Sequence, residues 1–222
     1  MKVLVISPHP DDETLGCGGT ILRHVRNGDE VSWVIVTSVF VEHGFTPERV
    51  ESRTREIDQV RNMFGFTKIY QLGFPTTQLS TIGETKIIDA LREVFNEERP
   101  AIIYLPNRTD AHSDHKMVFD ATMACSKPFR SPSVKMILMY ECLSETEFAS
   151  ALREKVFIPN YFIDITAYLD KKIEIMRTYE SELKEHPFPR SERNIRALAT
   201  FRGAQSGVDS AEAFMLIRQI WK

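Results

Sequence analysis

The sequence predicts an α/β fold, in which a mostly parallel sheet carries helices on both faces. Short apolar runs, which suit strands buried on both faces, alternate with longer segments whose apolar residues recur at helical spacing. Two clusters of His and Asp residues each follow such a run, and open α/β sheets bind ligands at the ends of their strands. Because this alternation builds right-handed βαβ units, we expect a doubly wound, Rossmann-like sheet.

The predicted elements follow one another in a regular order. Strands are expected at the apolar runs, which cover residues 2–6, 31–37, 67–71, 101–105 and 135–140, with another near 161–165. Helices are expected at 14–27, 48–64 and 83–98, where apolar residues have helical spacing. Longer irregular segments follow strand ends, where loops that contact a substrate belong; they cover 38–48, 73–82 and 106–113.

The C-terminal third, from about residue 166, is predicted to be mainly helical. Helices are expected at about Leu169–Lys184, around Glu192–Phe201 and around Ala211–Ile220. The sequence contains no linker, repeat or low-complexity tract that would divide it. We therefore expect one domain over residues 1–222, with the helical third packed on the sheet.

Composition narrows the classes of function. The chain is 42% hydrophobic with a formal net charge of −3, which gives no electrostatic reason to expect a nucleic-acid partner. No apolar run approaches the ~20 residues that cross a bilayer, and the first run ends at Pro8, too early for a signal peptide. We expect a cytoplasmic enzyme that acts on a small molecule; whether it is a homo-oligomer stays open. The three cysteines suit neither a zinc ribbon nor a disulfide framework and are expected to be reduced packing residues.

The first polar cluster directly follows the apolar run Val3–Ile6. It consists of Ser7-Pro8-His9-Pro10-Asp11-Asp12-Glu13 and continues into a glycine-rich segment. By itself this cluster is also compatible with a helix N-terminus, where Asp is favoured. The glycines have the spacing Gly-x-Gly-Gly, which does not match a dinucleotide fingerprint. Close packing of the helix start explains them better.

The second polar cluster follows the apolar run Ala101–Pro106. It consists of Asp110-Ala111-His112-Ser113-Asp114-His115, so the two clusters together supply imidazoles and carboxylates from two strand ends. Two His and one Asp suit Zn²⁺ and leave a fourth position open for water. An open position indicates catalysis, because the ion lowers the pKa of water to ~7 and polarises a carbonyl. Hydrolysis of an amide or ester is the expected chemistry.

These motifs resemble the LmbE/PIG-L zinc-dependent N-deacetylases, which remove acetyl groups from N-acetylglucosamine-type conjugates. The resemblance rests first on the two polar clusters. It extends to Arg53-x-x-Glu56 with Phe64-Gly65, to Phe162–Thr166 with Lys172, and to Arg202-Gly203 with Ala211–Phe214, and so spans nearly the whole chain. One departure follows Leu72–Pro75, where many members have Asp and this chain has Thr76-Thr77.

The resemblance implies roles for the matched residues around the ion. His9, Asp12 and His115 are implied as ligands of Zn²⁺ or another divalent metal. Asp11 is implied as the general base that acts on water. His112 would stabilise the oxyanion or protonate the leaving amine, and Asp114 would orient the His112 ring.

Two further residues are candidates for substrate binding. The resemblance implies that Arg53 contacts a substrate hydroxyl or phosphate, although on a helix it is equally suited to an ion pair with Glu56 or Glu51. His43 lies in a segment that is expected to line the pocket.

The sequence therefore predicts a hydrolase that removes the N-acetyl group from an N-acetylglucosamine-type sugar conjugate and releases acetate and the free amino sugar. A zinc amidohydrolase that acts on a non-sugar acyl amide is the nearest alternative. A metal-stabilised binding module without catalysis is a second one, but it would have no need for Asp11 beside a complete ligand set. The group attached to the amino sugar is left open.

Overall fold

The computed structural model describes residues 1–221, which form a seven-stranded sheet with helices on both faces. The strands are β1 (Lys2–Ser7), β2 (Glu30–Ser38), β3 (Lys68–Pro75), β4 (Ile102–Pro106), β5 (Met136–Tyr140), β6 (Tyr161–Asp164) and β7 (Ala211–Gln219). The helices are α1 (Asp12–Arg26), α2 (Pro47–Phe64), α3 (Leu79–Ile82), α4 (Glu84–Glu98), α5 (Ser113–Cys125), α6 (Leu169–Met176) and α7 (Glu192–Ser206). The predicted fold class is confirmed.

The order of the strands places β1 and β4 side by side. The full order is β3-β2-β1-β4-β5-β7-β6. Strands β1 to β5 pair in parallel, and β7 runs antiparallel to both β5 and β6. Because β2 pairs with one side of β1 and β4 with the other, the switch point of this open sheet lies between the carboxyl ends of β1 and β4. The two polar clusters follow these two strands, so the topology brings them together.

Both faces of the sheet are buried. Along β1, Val3 and Val5 belong to a hydrophobic cluster with residues of α1, α2, α6 and α7. The alternate residues Leu4 and Ile6 belong to a second cluster, with residues of α3, α4 and α5. Successive side chains of a strand point to opposite faces, so a strand covered on both sides is a continuous apolar run. This burial is the reason that the sequence showed runs and not an alternating pattern.

Helix α1 lies very close to the sheet. A Cβ atom on Gly16 would lie 2.2 Å from Cδ2 of Tyr140, and one on Gly19 would lie 2.6 Å from Cβ of Ile165. Any side chain at these two positions would overlap Tyr140 or Ile165. The expectation that close packing explains the glycines is confirmed. This packing sets the distance between the start of α1 and the sheet.

The C-terminal third contains less helix than expected. Residues Ala211–Gln219 form β7, so the helix predicted around 211–220 is wrong, and α6 ends at Met176 instead of continuing to Lys184. A short apolar run suits a strand as well as a buried helix. Here two neighbouring strands satisfy the backbone of β7, which decides in favour of the strand. Helix α5, which begins within the second polar cluster, was not predicted.

All seven strands share one sheet, and we infer from this continuity that the described residues form one domain. None of the helices within residues 1–221 combines the length and the apolar character that crossing a membrane requires.

Candidate metal centre and its cavity

Three ligand-type side chains meet where β1 and β4 end. His9 lies in the turn after β1, Asp12 is the first residue of α1, and His115 lies in the first turn of α5. Their ligand atoms all lie within 4.8 Å of one another, and Asp12 and His115 are buried. The structure thus brings together the three residues for which the sequence predicted metal ligation.

Each oxygen of the Asp12 carboxylate lies close to one of the two imidazole nitrogens. Asp12 Oδ2 lies 3.4 Å from His9 Nδ1, and Asp12 Oδ1 lies 3.4 Å from His115 Nε2. Ligand atoms ~2.0–2.1 Å from a tetrahedral Zn²⁺ would be about 3.3 Å apart. His115 Nε2 is buried and has no hydrogen-bond partner among residues 1–221. A buried nitrogen without a partner is costly, and a cation would supply that partner.

Each of the two imidazoles is held by a carboxylate on its other nitrogen. His115 Nδ1 lies 2.8 Å from Asp110 Oδ2, and His9 Nε2 lies 3.2 Å from Asp114 Oδ2. A carboxylate in this position fixes the tautomer and the orientation of a ligand imidazole. The sequence motifs indicated no role for Asp110. Its place in the second polar cluster, five residues before His115, was the only signal of it.

Asp114 differs from its expected role as the carboxylate that orients His112. Its Oδ2 lies 4.0 Å from His112 Nδ1, beyond hydrogen-bond distance. The backbone N–H of Asp114 donates to His112 Nδ1 instead, at 3.1 Å. The backbone N–H of Thr77, at the departure from the family pattern, also donates to Asp114 Oδ2, at 2.7 Å. Asp114 therefore orients the two rings in different ways: its side chain holds His9, and its main chain holds His112.

Asp11 sits in a strained backbone conformation beside the cluster. Its φ is 130°, a region that residues other than glycine rarely adopt, and such strain commonly marks functional sites. Glu13 Oε2 accepts the backbone N–H of Asp11 at 3.0 Å, and Glu13 Oε1 accepts the hydroxyl of Tyr179 at 2.8 Å. This buried support holds the Asp11 side chain at the wall of a cavity. Asp11 is not a member of the ligand cluster.

Burial and neighbouring charges shift the pKa values of the site. Burial and the charge of Asp12 raise the pKa of Asp11 well above its usual range. Burial opposes protonation of His9, but hydrogen bonds to Asp114 and Asp12 outweigh it and raise its pKa to about 9. Burial, with a contribution from His9, lowers the pKa of His112 to about 4. His112 is therefore neutral near pH 7, whereas the carboxylates around His9 attract a positive charge.

A cavity of about 280 Å³ opens beside the cluster. His9, Asp11, Asp12 and His112 line it. The lining also includes apolar side chains, among them Val39, Phe45, Val50 and Ile57, and polar ones, among them Gln71, Thr76, Thr77 and Glu145. Ligand sites commonly combine an apolar surface with a few polar groups that orient the ligand.

Arg53 lies at the edge of this cavity but is 7% exposed. Its Nη1 donates to the carbonyl oxygen of Pro10 at 2.7 Å, and its Nη2 donates to Glu182 Oε1 at 2.5 Å. The guanidinium also lies 5.5 Å from the centre of the Tyr179 ring. Arg53 thus anchors the turn that carries His9 and Asp11, and the ion-pair alternative describes its contacts better than a substrate contact does.

Other residues at the cavity had no signal in the sequence. Glu182 accepts hydrogen bonds from Arg49, Arg53 and Arg190, and all four residues line the cavity. Arg49 and Arg53 come from α2, and Glu182 and Arg190 come from the segment between α6 and α7, so only the folded structure reveals this ion-pair cluster. His43, in contrast, is exposed and is not among the residues that line the cavity. The structure does not bring His43 to the site.

Comparison with known proteins shows which family and which solved structures the chain is similar to. The family profile described as PIG-L, GlcNAc-PI de-N-acetylase, matches residues 4–126. The diacetylchitobiose deacetylase of Thermococcus kodakarensis is 26% identical over 231 residues, which span 99% of this chain and 84% of that protein. A probable N-acetyl-alpha-D-glucosaminyl L-malate deacetylase of Bacillus anthracis is 22% identical over 191 residues, spanning 81% of this chain and 80% of that protein.

A solved structure extends the similarity to the fold. The N,N'-diacetylchitobiose deacetylase of Pyrococcus horikoshii, in complex with its inhibitor MPG, superposes with a TM-score of 0.75 at 25% identity. The match covers 98% of this chain and 84% of that one. The family profile covers more than half of the chain and includes both polar clusters. The chain therefore belongs to the PIG-L family, as its motifs predicted.

Proposed function

We propose that this protein is a divalent-metal-dependent N-deacetylase, with Zn²⁺ as the expected ion. It removes the acetyl group from an N-acetylglucosamine-type sugar conjugate and releases acetate and the free amine. The observation that carries the proposal is the cluster of His9, Asp12 and His115 next to a cavity that His9, Asp12 and the neighbouring Asp11 line. The family and its deacetylase relatives identify the bond that is hydrolysed as an amide.

The donor set suits this chemistry. His9, Asp12 and His115 would hold the ion, and Asp110 and Asp114 would orient the two imidazoles. A divalent ion in this place lowers the pKa of a water ligand and polarises the acyl carbonyl.

Asp11 is the candidate general base. Its carboxylate borders the cavity, and burial together with the charge of Asp12 raises its pKa, which makes it a stronger base than an ordinary Asp side chain. A carboxyl group that has accepted a proton from water can later pass it to the departing amine. Glu13 and Tyr179 keep the strained turn of Asp11 in place throughout these steps.

His112 is the candidate group that stabilises the oxyanion. Its Nδ1 accepts the N–H of Asp114, so the neutral ring carries its proton on Nε2. The ring lines the cavity, with its centre 4.4 Å from that of His9. An N–H donor fixed in this place can stabilise the charge that develops on the acyl oxygen.

An acetate-release screen with metal analysis tests the proposal. Metal-free protein is reconstituted with Zn²⁺ and incubated with N,N'-diacetylchitobiose, N-acetylglucosamine conjugates and, as non-sugar amides, N-acetylated amino acids. We expect acetate only with the ion present and only from the sugars. Turnover of the amino acids alone would support the amidohydrolase alternative. Metal binding without turnover of either class would contradict the proposed function.

A further inference from the structure

A turn that follows a third strand contacts residues of both polar clusters. It comprises residues Cys142–Thr146 directly after β5, the neighbour of β4 in the sheet, and is called the 142–146 turn here. The backbone N–H of Ala111, in the second polar cluster, donates to the carbonyl oxygen of Glu145 at 3.0 Å. Ser144 has a φ of 74° within this turn. Residues other than glycine in this left-handed conformation are often found at functional sites.

Cys142 provides the contact to the first polar cluster. Its thiol lies 3.3 Å from Asp12 Oδ1, the same oxygen that lies 3.4 Å from His115 Nε2. A carboxylate only accepts hydrogen bonds, so the thiol is the donor. Cys142 is 1% exposed. Its sulfur is not among the grouped ligand atoms of His9, Asp12 and His115, which assigns the thiol to the support of a ligand.

Thr146 provides the contact to the second polar cluster. Its hydroxyl accepts the backbone N–H of Cys142 at 2.8 Å and donates to Asp110 Oδ1 at 2.7 Å. The other oxygen of Asp110 holds His115 Nδ1 at 2.8 Å. A continuous chain of hydrogen bonds therefore runs from the backbone of the 142–146 turn to a candidate metal ligand.

We propose that the 142–146 turn positions the side chains that both polar clusters contribute to the metal centre. It does so through hydrogen bonds from the Cys142 thiol to Asp12 and from the Thr146 hydroxyl to Asp110. This inference rests on the proposed metal-dependent function. Neither Cys142 nor Thr146 is among the residues that line the cavity, and they act through the ligands and their partners. Loss of such an outer contact typically weakens metal affinity ~10–100-fold. The sequence had suggested only a packing role for Cys142, because spacing gives no information about which carboxylate a buried thiol contacts.

Matched substitutions separate positioning from packing. Cys142→Ala and Thr146→Val remove the two donors, whereas Cys142→Ser and Thr146→Ser retain them. Cys125→Ala is the control for the loss of a buried thiol, since the thiol of Cys125 donates to the carbonyl oxygen of Ile88, outside the metal centre. Thr122→Val is the control for the hydroxyl, since that of Thr122 is buried and has no partner within residues 1–221.

The measurements are the dissociation constant of Zn²⁺, by competition with a chelator, and the absorption spectrum of the Co²⁺ form. We expect Cys142→Ala and Thr146→Val each to bind Zn²⁺ at least ~10-fold more weakly than wild type, with the Ser variants and both controls within ~3-fold of it. Thr146 is half-buried and Val has its shape, so this variant keeps the test decisive if Cys142→Ala does not fold.

Three outcomes would overturn the inference. Wild-type affinity in both donorless variants would leave the turn with a packing role alone, while the proposed function stands. A thiolate-to-Co²⁺ charge-transfer band that disappears in Cys142→Ala would make Cys142 a ligand. Wild-type protein that binds no divalent ion would overturn this inference together with the proposed function, and that result is read from the wild type alone.

Discussion

The carboxylate of Asp114 contacts the ring of His9, with 3.2 Å between Oδ2 and Nε2, and not the ring of His112, which lies 4.0 Å away at Nδ1. The side chain of Asp114 therefore supports a candidate metal ligand. The N–H of Thr77 donates to the same oxygen, so a loop that lines the cavity is tied to the metal centre through Asp114.

Asp114→Asn is expected to weaken Zn²⁺ affinity ~10–100-fold, because the charge that orients His9 is lost. The kcat of the zinc-saturated variant should change less, since the main chain of residue 114 still holds His112. Zinc titration and steady-state kinetics at saturating zinc measure the two effects. Asp120→Asn, on the surface of the same helix, is the control. Unchanged affinity with a large loss of kcat would return Asp114 to the role suggested by the sequence, as the partner of His112.

His115→Ala should abolish stoichiometric metal binding, because only His9 and Asp12 would remain as ligands. The metal content of purified protein, measured by elemental analysis, checks this result. His24→Ala is a suitable control, since His24 bonds Asp29 and Tyr104 and is not part of the cluster. If His115→Ala retains stoichiometric zinc at wild-type affinity, the ligand assignment is wrong.

Asp11→Asn and Asp12→Asn should fail in different ways although the residues are neighbours. Asp12 is a member of the ligand cluster, so Asp12→Asn is expected to lose metal affinity. Asp11 borders the cavity outside that cluster, so Asp11→Asn should retain the ion and lose roughly 10²–10⁴ in kcat, the usual range for a general base. Metal analysis and kinetics on both variants decide between the roles. The opposite pattern would exchange them.

Arg53→Ala is expected to lower both stability and kcat/KM. The guanidinium holds the carbonyl of Pro10 and one oxygen of Glu182 while it is itself 7% exposed. Breaking a buried pair costs about 3–5 kcal/mol, and since Glu182 keeps Arg49 and Arg190, about 2–3 kcal/mol is expected here.

Denaturant unfolding and kinetics measure the effect of Arg53→Ala, with Arg55→Ala as the control. Arg55 lies on the same helix in an exposed pair with Glu51, and its loss should change little. A higher KM with unchanged stability would instead make Arg53 a substrate contact, as the family resemblance implied.

Sequence by itself determined the alternation of strands and helices, the two polar clusters and the family. These features are local: periodicity depends on the burial of each segment, and the clusters are continuous stretches of chain. Local patterns failed at Ala211–Gln219, where a short apolar run suits either a helix or a strand and pairing with β5 and β6 decides. They also did not predict α5. This helix begins with the polar residues Ser113–Lys116, and its apolar residues follow only after them.

Only the tertiary structure decided which side chains contact one another at the site. His9 and Asp114 are 105 residues apart, and they meet because β1 and β4 are neighbours in the sheet. Cys142 likewise contacts Asp12 from the end of a third strand. Arg53 donates its hydrogen bonds to Pro10 and Glu182, within the protein. Hydrogen bonds depend on distances within about 3 Å, and sequence spacing contains no such information for residues on different strands.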